Sequence, residues 1–557
     1  MPRILLVEPD YKNKYPPIAL MKIATYHRNR GDVVEFYKGE APYTRIIQAD
    51  RIYITSMFTF QFDITVKTIK HYMKYKHADA VYIGGIAISL LTDRFVAETG
   101  ATKVLTGLLT DSYVLGYGDH INIDELPLDY DILDDIQYVY PAGDNYFIHT
   151  TRGCPRGCEF CAVKVLEPHF CTTNHVLQQI RQVDELYGPK RNLMIMDNNI
   201  LCSPQLEQIT DDIVALGFNG TPNYVRPNAF QLTMAKIERR IGYRVEYYHL
   251  IEGLCDQLRA FSKRLSRYEH ISKEYNACCQ FVFEAEDKLN ALRQHQDYFT
   301  NIFSKYSSKT KMVRYVDCNQ GIDARLINQR TITQLAKIPI RPFRLAFDNV
   351  KDSEIFISAS QMAIDSGFNH FSNYMLYNWT DKPEDLWNRI NIAVNLYNQS
   401  DKLTGFSFPM KYAPIYETDR SFVGKEWKKK QLRAINVITN VTKGVVAKER
   451  DFFEEAFGKN LDEFLEILAM PDEIIRHRHF FRDNGLLPKW LNSYRNLTKD
   501  QKEELLNLVS EMVDNPAILE TECSEPVRAI LPYYFIRKNH VENGTNKFVC
   551  ELLATTQ

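Results

Sequence analysis

The chain has 557 residues, 45% hydrophobic and 25% charged, with a formal net charge of −2 at pH 7. This is ordinary globular composition, too long for one core, so about two to four domains are expected. Near-neutral charge gives no global signal for nucleic acid, and no apolar run reaches the ~20 residues a membrane span needs.

Residues 1–120 alternate strand and helix signals. Ile4-Leu5-Leu6-Val7 reads as a buried strand. Pro16-Pro17 opens a helical pattern through Leu20, Ile23, Ala24 and His27, closed by Gly31. Val33–Tyr37, Arg51–Thr55, Ala80–Ile83 and Lys103–Thr106 are four further strands, with a helix through Ile69 and Met73. Strands separated by helices imply a parallel, doubly wound sheet, whose carboxyl-end loops form the usual ligand crevice. Residues 121–145 are acidic and without period, and are read as a linker.

Cys154-Pro-Arg-Gly-Cys158-Glu-Phe-Cys161 then follows the apolar run Tyr146-Phe147-Ile148. Three thiolates at spacings of four and three can converge on one metal and leave one position open. A closed electron-transfer cluster normally takes four thiolates. A structural zinc site is the alternative, with Cys171, His149 or His169 as fourth ligand, but no second pair of ligands follows. Eight more cysteines are scattered without a disulfide framework. No export signal is read, so a reducing cytoplasm is the expected setting.

Five strand runs follow the loop: 193–196, 313–316, 343–347, 370–376 and 404–408. With the strand before the cysteines they make six βα units. At their carboxyl ends lie Asp197, Asn198 and Asn199, then Asp323 and Arg325, then Asp348-Asn349 and Asn378-Trp379. A helical piece interrupts the series at about 235–310. Its apolar positions Ile251, Leu254, Leu258, Phe261, Leu265, Tyr268 and then Tyr275, Cys278, Val282, Leu289, Phe299, Phe303 form two heptad seams. They predict an antiparallel hairpin, since one helix of that length would run roughly 80 Å. The hairpin is read as a pair packed on the strands, a partner-binding arm or a dimer contact. Residues 416–557 read as mostly helical, with a basic run at 425–433 taken as a solvated face and Arg476-His477-Arg478-His479 as a weak metal or phosphate candidate.

The cysteine loop and its setting resemble the radical S-adenosylmethionine enzymes. In that family the three cysteines hold three irons of a [4Fe-4S] cluster, and the fourth iron takes the methionine end of the cofactor. The resemblance places Cys154, Cys158 and Cys161 on the metal and Phe160 beside the adenine. It puts Asp197, Asn198 and Asn199 near the cofactor ammonium, Asp323 near the ribose and Arg325 near the carboxylate. It implies reductive cleavage of the cofactor, a 5′-deoxyadenosyl radical acting on a substrate, and a reductant such as flavodoxin or ferredoxin.

Residues 1–120 are similar to the cobalamin-binding domain that precedes many such enzymes. The matching pieces are the proline pair, Gly84-Gly85 and Val114-Leu115-Gly116-Tyr117-Gly118-Asp119. Cobalamin is thus a further cofactor the resemblance allows, although residues 8–14 lack the Asp-x-His-x-x-Gly motif whose histidine ligates cobalt in some relatives. The tRNA methylthiotransferases share the loop, but residues 1–150 carry no second cysteine set. The expected fold is α/β: a Rossmann-like domain at 1–120, a linker at 121–145, a partial (β/α)6 barrel with a helical insertion at 146–415, and a helical domain at 416–557. The competing reading is a non-catalytic iron-sulfur or zinc protein that uses the hairpin as an interaction module.

Overall fold

The computed structural model describes residues 1–173, 176–511 and 519–554. It divides into two compact units. The first holds residues 1–320 with 337–340 and 415–418; the second holds 321–336, 341–414 and 419 onward.

In the first unit, β1 (Arg3–Glu8), β2 (Val33–Lys38), β3 (Arg51–Thr55), β4 (Val81–Gly84) and β5 (Lys103–Leu105) form one parallel sheet in the order β2-β1-β3-β4-β5. All five strand runs of the sequence appear. Ile4, Leu5, Leu6 and Val7 are at most 2% exposed, which is why β1 reads as a continuous apolar run. The helix after the proline pair is Ile18–Asn29, and Gly31 turns the chain with φ +81°.

The acidic linker has specific partners. Arg28 pairs with Asp129 at 2.7 Å, Arg239 takes both oxygens of Asp131, and Arg240 reaches Asp135. Asp135 also accepts the amide of Phe36 on β2, at 2.7 Å. The linker is thus clamped between the Ile18–Asn29 helix, β2 and the helix Ala229–Gly242.

A second parallel sheet has the order β10-β9-β6, from β6 (Asn145–Ile148), β9 (Asn192–Ile195) and β10 (Val316–Cys318). Between β6 and β9, β7 (Thr151–Arg152) and β8 (Cys171–Thr172) make a short antiparallel pair. The strand expected at 313–316 begins only at Val316. Arg314 is turned instead onto the carbonyls of Leu216 and Lys190, with its guanidinium 4.0 Å from the Phe218 ring centroid.

The insertion is a bundle rather than a bare hairpin. Tyr248–Leu265 and Glu269–Glu284 are the expected antiparallel pair, but Ala229–Gly242, Lys288–Gln294 and Gln296–Tyr306 pack with them on one apolar core. Asp287 caps the fourth helix by accepting the amide of Asn290, so the second seam is broken into three helices. Cys279 is buried in that core, and Cys278 is half-buried against it.

In the second unit, β11 (Phe343–Ala346), β12 (His370–Tyr377) and β13 (Thr404–Lys411) are parallel, and β14 (Val446–Ala447) is antiparallel to β13. Five of the six runs read from the sequence are strands where expected and the sixth is shifted to Val316–Cys318; they are hydrogen-bonded as two groups of three. Residues after 416 are mostly helical, as expected. The basic run is not a solvated face: Lys430 is 1% exposed and bonded to Asp472, and Arg433 bonds Asp472 and the carbonyl of Val509. Arg478 likewise donates to the carbonyl of Glu455. Among the described residues, no helix is long and apolar enough to cross a membrane.

Candidate functional site

The cysteine loop follows β7, shortly after the end of β6. Gly153, directly before Cys154, has φ +72°. A Cβ there would stand 2.9 Å from the carbonyl oxygen of Glu167 and closer still to that of His169. Only glycine fits this turn. Its amide donates to the Glu167 carboxylate at 2.6 Å. Cys154, Cys158 and Cys161 are all half-buried and outside any disulfide. The amide of Cys161 donates to the carbonyl of Cys158 at 3.1 Å. Burial pushes the Cys161 thiol up against a hydrogen bond from the Val163 backbone, and the neighbouring Cys158 and Cys154 add to the shift. Phe160 is half-buried in the same loop. Among the described residues, no three His, Cys, Asp or Glu side chains are already gathered around a common metal position.

The other ligand candidates surround the loop. Cys171 is exposed and sits opposite Arg152 in the β7–β8 pair. The His149 imidazole is held well below its ordinary value by burial and by the Arg152 and Lys22 charges. The carbonyl of His169 bounds the Gly153 turn.

Asp197, Asn198 and Asn199, just past the end of β9, brace this loop. Asp197, 4% exposed, accepts the Thr150 amide at 2.6 Å, the Thr150 hydroxyl and the Thr151 hydroxyl at 2.8 Å. Burial raises its carboxyl, against the pull of those hydrogen bonds. Asn198 donates to Glu167 at 3.0 Å, and Asn199 donates to the Cys154 sulfur at 3.8 Å. The Asp197 carboxylate, expected to face a cofactor ammonium, is here bonded to the strand-end threonines.

Behind the loop lies a buried charge network that sequence reasoning missed. Arg152 binds Asp124 through Nε at 2.7 Å and also through Nη2. Lys22 reaches the same carboxylate at 2.9 Å, and Arg152 meets Glu167 at 3.3 Å. Burial works to raise the Asp124 carboxyl, but Lys22 and Arg152 outweigh it and hold it well below the usual range. Asp124 looked like one acid among many in a linker. Nothing local marks it, because its partners lie 28 and 102 residues away.

At the end of β10, Asn319 accepts the Tyr15 hydroxyl at 2.7 Å, and the Tyr15 ring stands edge-on to Phe147 on β6. Residues 8–15 of the N-terminal sheet thereby reach the strand ends of the second sheet within the same unit.

The remaining candidates belong to the second unit. Arg325 binds Asp323 in a bidentate pair at 2.7 and 3.1 Å, and Asp323 also accepts the Arg325 amide at 3.1 Å. Asp323 is mostly buried while Arg325 is 38% exposed. Asp348 accepts the amide of Leu376 at 2.9 Å. Asn378, with φ +71°, donates to the carbonyls of Tyr412 and Phe422 and accepts the Gly424 amide, which makes it a loop staple.

The residues thus fall into two sets, the cysteine loop with residues 197–199 in one unit and the Asp323–Arg325 pair in the other. The first can hold a thiophilic metal centre; the second can pair with a carboxylate or vicinal hydroxyls. No protein-family model matches this chain, and no curated protein matches it.

Proposed function

We propose that this chain is a radical S-adenosylmethionine enzyme in which Cys154, Cys158 and Cys161 hold a [4Fe-4S] cluster. The carrying observation is the loop itself: three thiols outside any disulfide, at spacings of four and three, on a glycine-locked turn a few residues beyond the carboxyl end of the parallel strand β6. When bound, the cluster supplies the electron that cleaves S-adenosylmethionine to a hydrogen-abstracting 5′-deoxyadenosyl radical. The doubly wound N-terminal domain and the partial (β/α)6 barrel are part of this reading; the parallel order β2-β1-β3-β4-β5 and the six parallel strand runs support it.

The chain's own residues hold and tune the site. Asp197 fixes Thr150 and Thr151, and so sets where Cys154 begins. The Asn199 amide on the Cys154 sulfur is the kind of hydrogen bond that raises a cluster's potential. Phe160 offers an aromatic face beside the last cysteine. Asp323 and Arg325 are the candidates for ribose and carboxylate; binding there exchanges their mutual pair for the ligand. A small one-electron donor protein such as flavodoxin or ferredoxin is the implied partner.

The test is anaerobic reconstitution with iron and sulfide, then addition of dithionite and S-adenosylmethionine. Brown protein with about four irons per chain and release of 5′-deoxyadenosine are expected. Cys154→Ala, Cys158→Ala and Cys161→Ala should each abolish that release. Colourless protein with stoichiometric zinc after the same handling would overturn the reading in favour of a structural metal site.

A further inference from the structure

We infer that the ligand crevice of the N-terminal sheet is closed by the chain's own side chains and takes no corrin. The inference rests on the radical-enzyme reading and deepens it, because it takes cobalamin out of the cofactors that the resemblance allows.

In a parallel sheet ordered β2-β1-β3-β4-β5, the switch point lies between β1 and β3, and ligands bind beyond the carboxyl ends there. In this chain the strand ends of β1 and β2, beside that point, are built over. Glu8, the last residue of β1, is 1% exposed. Its carboxylate takes the ammonium of Lys38, the last residue of β2, and the hydroxyl of Tyr140. The Lys38 side chain is 6% exposed. Its Nζ lies 4.7, 5.1 and 5.4 Å from the ring centroids of Tyr138, Tyr11 and Tyr140. A cation in such a cage is held by the ring quadrupoles as well as by its counter-ion.

The loops around the cage are stitched together. The Asn13 amide donates to the Tyr138 hydroxyl at 2.9 Å, and that hydroxyl donates to the Asn13 carbonyl at 2.5 Å. The Asn13 side chain reaches Met57, in the segment after β3, at 3.5 Å. The Ala142 amide donates to the Lys14 carbonyl at 3.0 Å. Linker residues 138–142 are thus tied across the strand ends. Admitting a flat macrocycle would separate a buried ion pair and leave one charge uncompensated, a change proteins resist. Residues 8–14 also contain no histidine to ligate cobalt. The crevice works as a joint instead: it fixes residues 13–15, and so carries Tyr15 to Asn319 and Phe147.

The experiment uses the full chain, reconstituted anaerobically, mixed with excess hydroxocobalamin and desalted. Corrin absorbance retained at less than half-occupancy is the expected result; half-occupancy or more overturns the inference. In parallel, brief labelling with acetic anhydride should modify exposed Lys12 and Lys14 while Lys38 reacts at least about tenfold more slowly, since it needs local opening. Equal rates for Lys38 and Lys12 would show that the cage is open and overturn the inference. Release of 5′-deoxyadenosine is measured on the same sample. Its absence sinks the radical-enzyme reading and leaves the crevice result standing, so the two failures are distinguishable.

Discussion

Gly153 and Asp197 show how single residues shape the cysteine loop. Gly153 holds a left-handed conformation with two carbonyl oxygens where a side chain would go. Gly153→Ala combines backbone strain, about 1–3 kcal/mol, with a clash against fixed backbone. The expected outcome is a lowered urea midpoint and a marked loss of iron on reconstitution. Asp197 answers three donors with one carboxylate. Asp197→Ala leaves them buried without an acceptor, at a cost of about 2–3 kcal/mol for the hydrogen bonds to a charged group alone. Asp197→Asn keeps an acceptor and should fall between that variant and the parent in both midpoint and iron content. Equal iron content in all three proteins would show that the loop does not depend on this brace. The expectation that Asp197 matters rests on its place at a strand end and on the family resemblance; Gly153 carried none. What they do was not legible, because a carboxylate's partner is set by what folds against it.

At the scale of elements, the insertion carries its own core. Leu258 is fully buried in it, among Leu254, Phe261 and Tyr275, and Phe261 stacks on Phe303 at 3.9 Å. Leu258→Ala should cost about 2–5 kcal/mol. Because the bundle packs largely on itself, we expect the loss to appear as faster proteolysis between residues 229 and 306, with iron loading at the cysteines retained. Simultaneous loss of iron would mean that bundle and loop unfold as one unit. The heptad seams did foretell the Tyr248–Leu265 and Glu269–Glu284 pair. They did not foretell the breaks at Ala285 and His295, since capping by Asp287 interrupts a period that the apolar residues continue.

At the scale of the whole molecule, the N-terminal sheet and the cysteine loop are joined through Asp124, with Lys22 on one side and Arg152 on the other. Its folded carboxyl is held below the ordinary value of 3.8. A carboxylate lowered on folding stabilises fully above the unfolded value, and that stabilisation drains as pH falls toward the folded one. The parent should therefore lose more stability than Asp124→Asn between about pH 5 and about pH 3. Parallel pH profiles for the two proteins, followed by urea unfolding, would show that the network carries no linked proton.

The sequence by itself determined most of the longer parallel strands, the helix after the proline pair, the helical C-terminal region and the cysteine spacing. These rest on local periodicity, turn residues and covalent distance, all readable within a dozen residues. Only the tertiary structure decided that Asp197 and Asn199 turn onto the cysteine loop, that Asp124 is a buried joint, and that Lys38 closes the N-terminal crevice. A charged side chain takes the partner brought nearest when the chain is desolvated, and most of these partners lie tens of residues or more away along it. Composition and period constrain which faces are buried; they do not say which buried charge meets which.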